Sequence, residues 1–262
     1  VQQNINWHIV IVEFHKMHGM GNDFVIIDSR QRACELTKEN IKAMTARRYG
    51  IGCDQLIILG SSKKADCLMR IYNNDGSSAS ACGNATRCVS WLLDSKHAKI
   101  EVGGRIIQTT RLDGGRIAAI MGKAKVALDQ RRQQHFVDVG NPHLVEFVDH
   151  MPDATEIPRR AQQILEIHNK DANVNFAKIK SRNNIELVVF ERGSGITHAC
   201  GTGAMATFAT AHKLNMIEDN AKINQAGGEL EFSIAGNDEI TMIGEIAYVF
   251  KGYIDLDNHI NL

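Results

Sequence analysis

One short pattern occurs twice in this chain and limits its fold more than any other feature. Asp75-Gly76-Ser77, followed by Ala81-Cys82-Gly83-Asn84, is matched by Arg192-Gly193-Ser194, followed by Ala199-Cys200-Gly201-Thr202. The second copy has one residue more between serine and cysteine. Each copy opens a run of small and apolar residues with helical character, reaching Leu93 in the first and about Leu214 in the second. The two cysteines stand 118 residues apart, a plausible domain length. With 262 residues the chain has room for one large core or for two of roughly 100 to 150 residues each, and the repeat favours two.

The surrounding pattern starts over in the same way. Alternating apolar runs predict strands at 10–14, 24–28, 55–59 and 67–72, then short strands with glycine-rich turns over 99–122. After a charged passage at 129–134, strands recur at 136–139, 144–148, 173–179 and 185–190. Helices are expected at 37–48, with Thr37 as N-cap, and at 158–167. A boundary between about 122 and 134 divides the chain into residues 1–127 and 128–247. The fold class is therefore α/β, in two similar halves.

Composition removes several function classes. Lysine plus arginine and aspartate plus glutamate each total 30, so no basic face points to nucleic acid or to an anionic membrane. A small-molecule partner is the better expectation. The longest apolar stretches, such as 9–12 and 117–121, fall far short of the roughly 20 residues of a bilayer-spanning helix. No secretory signal is visible up to Trp7, which makes the cytoplasm the default address. The six cysteines are too thinly spread to suggest a disulfide scaffold, so reduced thiols are expected. No metal-ligand spacing and no phosphate-binding glycine motif occurs, so neither a metal nor another cofactor is expected.

Cysteine is among the most buried residue types, and packing accounts for Cys34, Cys53, Cys67 and Cys88. The context of Cys82 and Cys200 is different, because a packing cysteine requires neither polar loops nor glycines. At a helix N-terminus, unpaired amides and the helix dipole stabilise a thiolate and lower the thiol pKa. Gly83 and Gly201 let a ligand approach the backbone closely, so each helix end also offers amides to a carboxylate. Two such ends facing one another would hold a small zwitterion between a thiol and a thiolate.

Seven segments in this order resemble the diaminopimelate epimerase family, cofactor-independent enzymes of lysine and peptidoglycan precursor synthesis. They are His18-Gly19-Met20-Gly21-Asn22-Asp23-Phe24, Gly50-Ile51-Gly52-Cys53-Asp54-Gln55, Asn73-Asn74-Asp75-Gly76-Ser77, Cys82-Gly83-Asn84-Ala85-Thr86-Arg87, Gly140-Asn141-Pro142-His143, Asn173-Val174-Asn175-Phe176, and Glu191-Arg192-Gly193 with Ala199-Cys200-Gly201-Thr202-Gly203-Ala204. Each is weak alone; together they are specific, and they spread from Phe14 to about Leu256.

The resemblance implies two pseudo-symmetric halves, each a curved, mostly antiparallel sheet around a central helix, with a final strand within 248–262 returning to the first half. It implies conversion of LL- to meso-diaminopimelate, with Cys82 and Cys200 on opposite faces of the α-carbon. His143 and Glu191 would assist the thiols. Asn22, Asn73, Asn173 and Arg192 would grip the distal stereocentre, with Gln55 lining the same pocket, and Arg192 would bind the distal carboxylate bidentately. Gly83, Asn84, Asn141, Gly201 and Thr202 would bind the substrate near the thiols. A homodimer is implied by the family alone. From spacing alone, each of the three asparagines is explained as well by a turn or a cap, and His143 as a structural residue.

Ala85, Thr86 and Ile196 depart from the family pattern, Ile196 by removing a carboxylate expected near Cys200, and the segment before Glu13 is an extension. A sibling isomerase acting on another small acid is the nearest rival. A cysteine hydrolase needs one thiol and a histidine base, not two thiols in equivalent settings. A zinc or redox module would need cysteine and histidine spacings that are not found here.

Overall fold

The computed structural model describes residues 11–31, 34–129 and 131–256. Most of the N-terminal extension (1–10), part of the charged passage (Gln130) and the end of the expected returning strand (257–262) lie outside them. In chain order the first series is β1 (Ile11–Gly19), β2 (Asn22–Asp28), α1 (Lys38–Thr45), β3 (Gln55–Gly60), β4 (Cys67–Asn73), β5 (Ser78–Ala79), α2 (Gly83–Leu92), β6 (His97–Val102), β7 (Arg105–Arg111), β8 (Ile117–Gly122) and β9 (Lys125–Ala127). The second is β10 (Gln134–Asp138), β11 (Pro142–Phe147), α3 (Ile157–His168), β12 (Asn173–Ser181), β13 (Asn184–Glu191), β14 (Gly195–Thr197), α4 (Gly201–Lys213), β15 (Asn220–Gln225), β16 (Gly228–Ile234), β17 (Ile240–Gly244) and β18 (Ala247–Asp255).

The two series have the same pairings. β1 pairs with β2, β2 with β3, β3 with β4, β4 with β5 and β6, β6 with β7, and β7 with β8. From β10 to β17 this scheme is repeated strand for strand. Even the sense matches: β2–β3 and β4–β6 are parallel, as are β11–β12 and β13–β15. The remaining pairs among the described residues are antiparallel. The expectation of two similar, mostly antiparallel α/β halves holds.

β8 pairs antiparallel with β17, joining the sheets at the pseudo-twofold axis. At the outer ends the halves exchange strands: β9 leaves the first series to pair with β10, and β18 leaves the second to pair with β1. Separating the two series would therefore break three main-chain ladders. The β1–β2 turn adds a side-chain tie, since Met20 packs into the core of the second half.

Each half wraps its sheet around one helix. α2 packs into a core containing Met17, Phe24, Ile57, Met69, Ile100 and Ala119, and α4 into one containing Val137, Leu187, Val189, Phe208, Phe232 and Met242. Eight of the ten residues of α2 and ten of the thirteen of α4 are buried. That is the pattern of a helix enclosed on nearly all sides, and it explains the run of small residues in each. Polar side chains there bond locally, as Thr86 does to the Cys82 carbonyl at 2.9 Å and Thr210 to Ala206 at 2.8 Å.

α1 stops at Thr45, three residues before its expected end. The chain turns back there, and the amides of Ile51 and Gly52 both bond the Met44 carbonyl while Cys53 bonds Thr45. A Cβ on Gly50 would collide with the Ala43 carbonyl oxygen, so only glycine allows the return.

Candidate active site

The repeated pattern produces the same local geometry twice. Cys82 caps α2 with φ −155° and ψ 107°, and Cys200 caps α4 with φ −131° and ψ 106°. Both are extended residues at the point where a strand-like approach becomes helix, so each thiol lies against the first amides of its helix. The two helix ends converge: a Cβ on Gly201 would lie 3.7 Å from Asn84 Oδ1, and one on Gly83 would lie 2.6 Å from Met242 Cε. The charge of Glu191 is felt at both thiols.

Around Cys82 the partners are amides. Its Sγ lies 3.7 Å from Asn22 Oδ1, which also accepts from Asn84 Nδ2 at 3.3 Å. Asn22 in turn donates to the Asp54 carboxylate at 3.0 Å. Beside them Gln55 donates to Asn73 at 3.0 Å, and Asn73 to Ser77. Asn22 thus stands next to a thiol and is tied to Asp54, the chain neighbour of Gln55.

Around Cys200 the partners form a directed chain. Asn175 is fully buried and donates its Nδ2 to the Gly203 carbonyl at 2.8 Å and to Thr207 at 3.0 Å, which leaves Oδ1 facing His143 Nδ1 at 3.0 Å. Nδ1 must then carry the imidazole proton, and Nε2 is the acceptor. Thr202 Oγ1 lies 3.2 Å from Nε2, accepts from Asn141 Nδ2 at 3.2 Å, and stands 3.5 Å from Cys200 Sγ. Gly203 N is directed at the same sulfur at 3.4 Å. Glu191 is held by the Thr197 hydroxyl. His143 therefore belongs to the Cys200 side through Thr202, and Glu191 serves that side by contact and the other by its field.

The expected lowering of the thiol pKa values is not found. Burial pushes the Cys82 thiol up to about 11, against the pull of the Ala85 and Asn84 amides and of Arg87. Cys200 is raised as well, first by burial and then by Glu191. Removing a thiolate from water costs more than the helix-end amides return. The same burial lowers His143 to about 4. Burial thus favours the thiol form of both cysteines and the neutral form of the imidazole. Cys53, Cys67 and Cys88 are buried free thiols, each pushed up to about 12 by burial.

Arg192 is drawn outward. Its guanidinium lies 2.6 Å from Asp171, with 60% and 75% of the two side chains exposed, while its amide bonds Asn173 Oδ1 at 2.9 Å. Asn173 also reaches His143 Nε2 at 3.4 Å. Ile196, on β14, points a 40% exposed side chain to solvent.

Four further residues hold this site in place without standing out in the sequence. They are Asn175, Arg87, Asp54 and Gln225, whose side-chain oxygen accepts from the Cys200 amide at 2.8 Å. Asn175 had a legible signal: Asn173 and Asn175 are two apart on a strand and so share a face, an unusual pair for a buried one. Among the described residues no group of histidine, cysteine and carboxylate side chains could hold a metal ion, and no helix is long and apolar enough to cross a membrane.

Two pseudo-symmetric α/β units with a titratable group at each of two converging helix ends define a two-lobed α/β scaffold. Solved structures share it. The chain superposes on a hydroxyproline epimerase from Agrobacterium vitis with a TM-score of 0.71 at 13% identity, over 96% of this chain and 94% of the other. It superposes on a PhzF-family phenazine biosynthesis protein from Bacillus anthracis with a TM-score of 0.70 at 14% identity, over 94% and 99%. Those likenesses concern the fold alone. Sequence is more specific: the chain belongs to the diaminopimelate epimerase family, whose model matches residues 14–127 and 135–249, one segment in each half. Diaminopimelate epimerases of Rhizorhabdus wittichii and Sphingopyxis alaskensis are each 39% identical to it, over 94% and 92% of this chain and 96% and 97% of theirs. That of Blochmanniella floridana is 36% identical over 94% of this chain and its own full length.

Proposed function

We propose that the protein converts LL-diaminopimelate to meso-diaminopimelate without a cofactor, using Cys82 and Cys200 as the two acid-base groups. The observation that carries this reading is the pair of cysteines at equivalent N-cap positions of two converging helices, in a member of this family. One sulfur, as thiolate, takes the α-proton from one face of the substrate, and the other, as thiol, returns a proton to the opposite face. The carbanion-like transition state is stabilised by helix-end amides around Gly83-Asn84 and Gly201-Thr202, aimed at the proximal carboxylate. Asn141 fits the same end of the substrate through its bond to Thr202.

The resting thiols have to give up one proton before turnover. Glu191 and, through Thr202, His143 are the groups within reach of Cys200 to receive it. Asn73, Asn173, Gln55 and Arg192 fit the distal amino-acid group, with Arg192 exchanging Asp171 for the substrate's distal carboxylate. Closure of the two halves, residues 1–127 with the returning strand and residues 128–247, over the substrate excludes water and strengthens these interactions. A homodimer in the cytoplasm belongs to the same reading, and sedimentation of the pure protein tests the dimer.

The deciding experiment follows deuterium at the α-carbon of LL-diaminopimelate, and its conversion to the meso form, with reduced, metal-stripped protein in heavy water. Exchange with inversion is expected. A folded protein with free thiols and no exchange would redirect attention to the sibling isomerases.

A further inference from the structure

Among the described residues Arg87 is the largest fully buried side chain and a cation that no carboxylate pairs with. It lies at the seam of the two halves. A Cβ on Gly19 of β1 would stand 3.3 Å from its Nη2, and a Cβ on Gly244 of β17 would stand 3.0 Å from its Nε. Its neighbours are the Gly83 carbonyl at 3.5 Å, Met242 Sδ at 3.4 Å and Asn84 Oδ1 at 2.8 Å, and its Nε has no partner. An uncompensated buried charge is costly, so packing alone does not explain an arginine here.

What Arg87 touches leads to Cys82. A guanidinium only donates hydrogen bonds and a carboxylate only accepts them. Arg87 Nη2 donates to Asn84 Oδ1 at 2.8 Å, Asn84 Nδ2 to Asn22 Oδ1 at 3.3 Å, and Asn22 Nδ2 to Asp54 Oδ2 at 3.0 Å. With a donor at one end and an acceptor at the other, neither amide can turn over. Asn22 must present its oxygen, never its NH2 group, to the sulfur of Cys82.

We propose that Arg87 is a positioning residue for Cys82: with Asp54 it locks the two amides so that the protonated thiol meets an acceptor, and its buried charge balances the thiolate left when that proton goes to the substrate. The lock and the charge act in opposite senses. The amide oxygen holds Cys82 as the proton donor, and the guanidinium keeps the resulting anion from being prohibitive in a dry site. Charged groups whose fields reach Cys82 are Arg87, which favours the thiolate, and Glu191, which opposes it; Arg87 in turn faces the Cys88 thiol. The inference rests on Cys82 being one of the two acid-base thiols.

The test reads Cys82 without turnover, as the rate of its alkylation by iodoacetamide against pH, resolved by peptide mass spectrometry, in wild type, Arg87→Met, Arg87→Lys and Asn22→Ala. Arg87→Met is expected to move the alkylation midpoint up by about one unit, a roughly tenfold slower reaction at pH 8, with most of it restored in Arg87→Lys. Asn22→Ala is expected to move it down, because the sulfur loses the oxygen that accepts its proton while the guanidinium charge stays. A packing role for Arg87 would not produce opposite signs at these two positions. A folded Arg87→Met that titrates like wild type overturns the proposal. If Arg87→Met does not fold, an Asn22→Ala curve superimposed on wild type overturns it instead, since Asn22 is only half-buried and the change is tolerable. Failure of the wild type to exchange α-protons would reject the proposed activity and leave this titration readable.

Discussion

The hydroxyl of Thr202 stands between two titratable groups, 3.2 Å from His143 Nε2 and 3.5 Å from Cys200 Sγ. It links His143 to that thiol. Thr202→Val keeps the shape and removes the bridge, so kcat should fall by about a hundredfold with the melting temperature little changed. Thr202→Ser should keep most of the activity. Steady-state kinetics on the three proteins decides; equal activity of the valine variant would remove Thr202 from the proton path.

His143 makes a pH prediction with a definite sign. Burial lowers it from 6.5 to about 4. Between those values an unfolded chain takes up a proton at this position and the folded chain does not, so stability falls as pH falls through that window and levels off below it. The loss amounts to at most about 3 kcal/mol. Urea unfolding at pH 7 and pH 4.5 should show a smaller loss in His143→Gln than in wild type.

Each thiol should be indispensable. Cys82→Ser and Cys200→Ser should each lower epimerisation by at least about a hundredfold while circular dichroism stays unchanged. Mild oxidants should inactivate the wild type reversibly, by joining the two thiols, and reductant should restore it. A variant with one of the two cysteines replaced and with near-normal turnover would refute the two-thiol mechanism.

Glycines at the α4 end separate chemistry from stability. A Cβ on Gly201 meets Met242 Sδ at 3.5 Å and Asn84 Oδ1 at 3.7 Å, which are ordinary contacts. Gly201→Ala should fold with stability equal to or slightly above wild type, by up to about 1 kcal/mol, yet raise KM because the methyl group enters the space between the helix ends. At Gly203 the same atom would lie 2.8 Å from Val189 Cγ2 and 3.3 Å from Cys200 Sγ. Gly203→Ala should cost about 1–3 kcal/mol in chemical denaturation.

Arg192 should matter for binding alone. Its ion pair with Asp171 is solvent-exposed, so Arg192→Met should change stability by less than about 1 kcal/mol. Losing a charge-assisted bidentate contact should lower kcat/KM by about ten- to a hundredfold, chiefly through KM. An unchanged KM for diaminopimelate would remove Arg192 from the distal pocket.

Much of this molecule was determined locally and could be read in order along the chain. The longer strands up to β13 follow from alternation, the starts of α2 and α4 from Ala-Cys-Gly, and the pairing of Cys82 with Cys200 from the repetition of that context; β14 to β17 were not legible in the sequence. A capping residue, a glycine and a small-residue run act within a few positions of one another, so one sequence contains them completely. Only the tertiary structure decided the rest. The exchange of β9 and β18, the burial that raises both thiols, and the approach of His143 to Cys200 through Thr202 all depend on segments far apart in the chain. Arg87 shows why: its surroundings are Gly19 and Gly244, at opposite ends of the sequence, and its lack of a counter-charge is a property of that enclosure. Desolvation belongs to a place in the folded molecule, and no run of residues carries it.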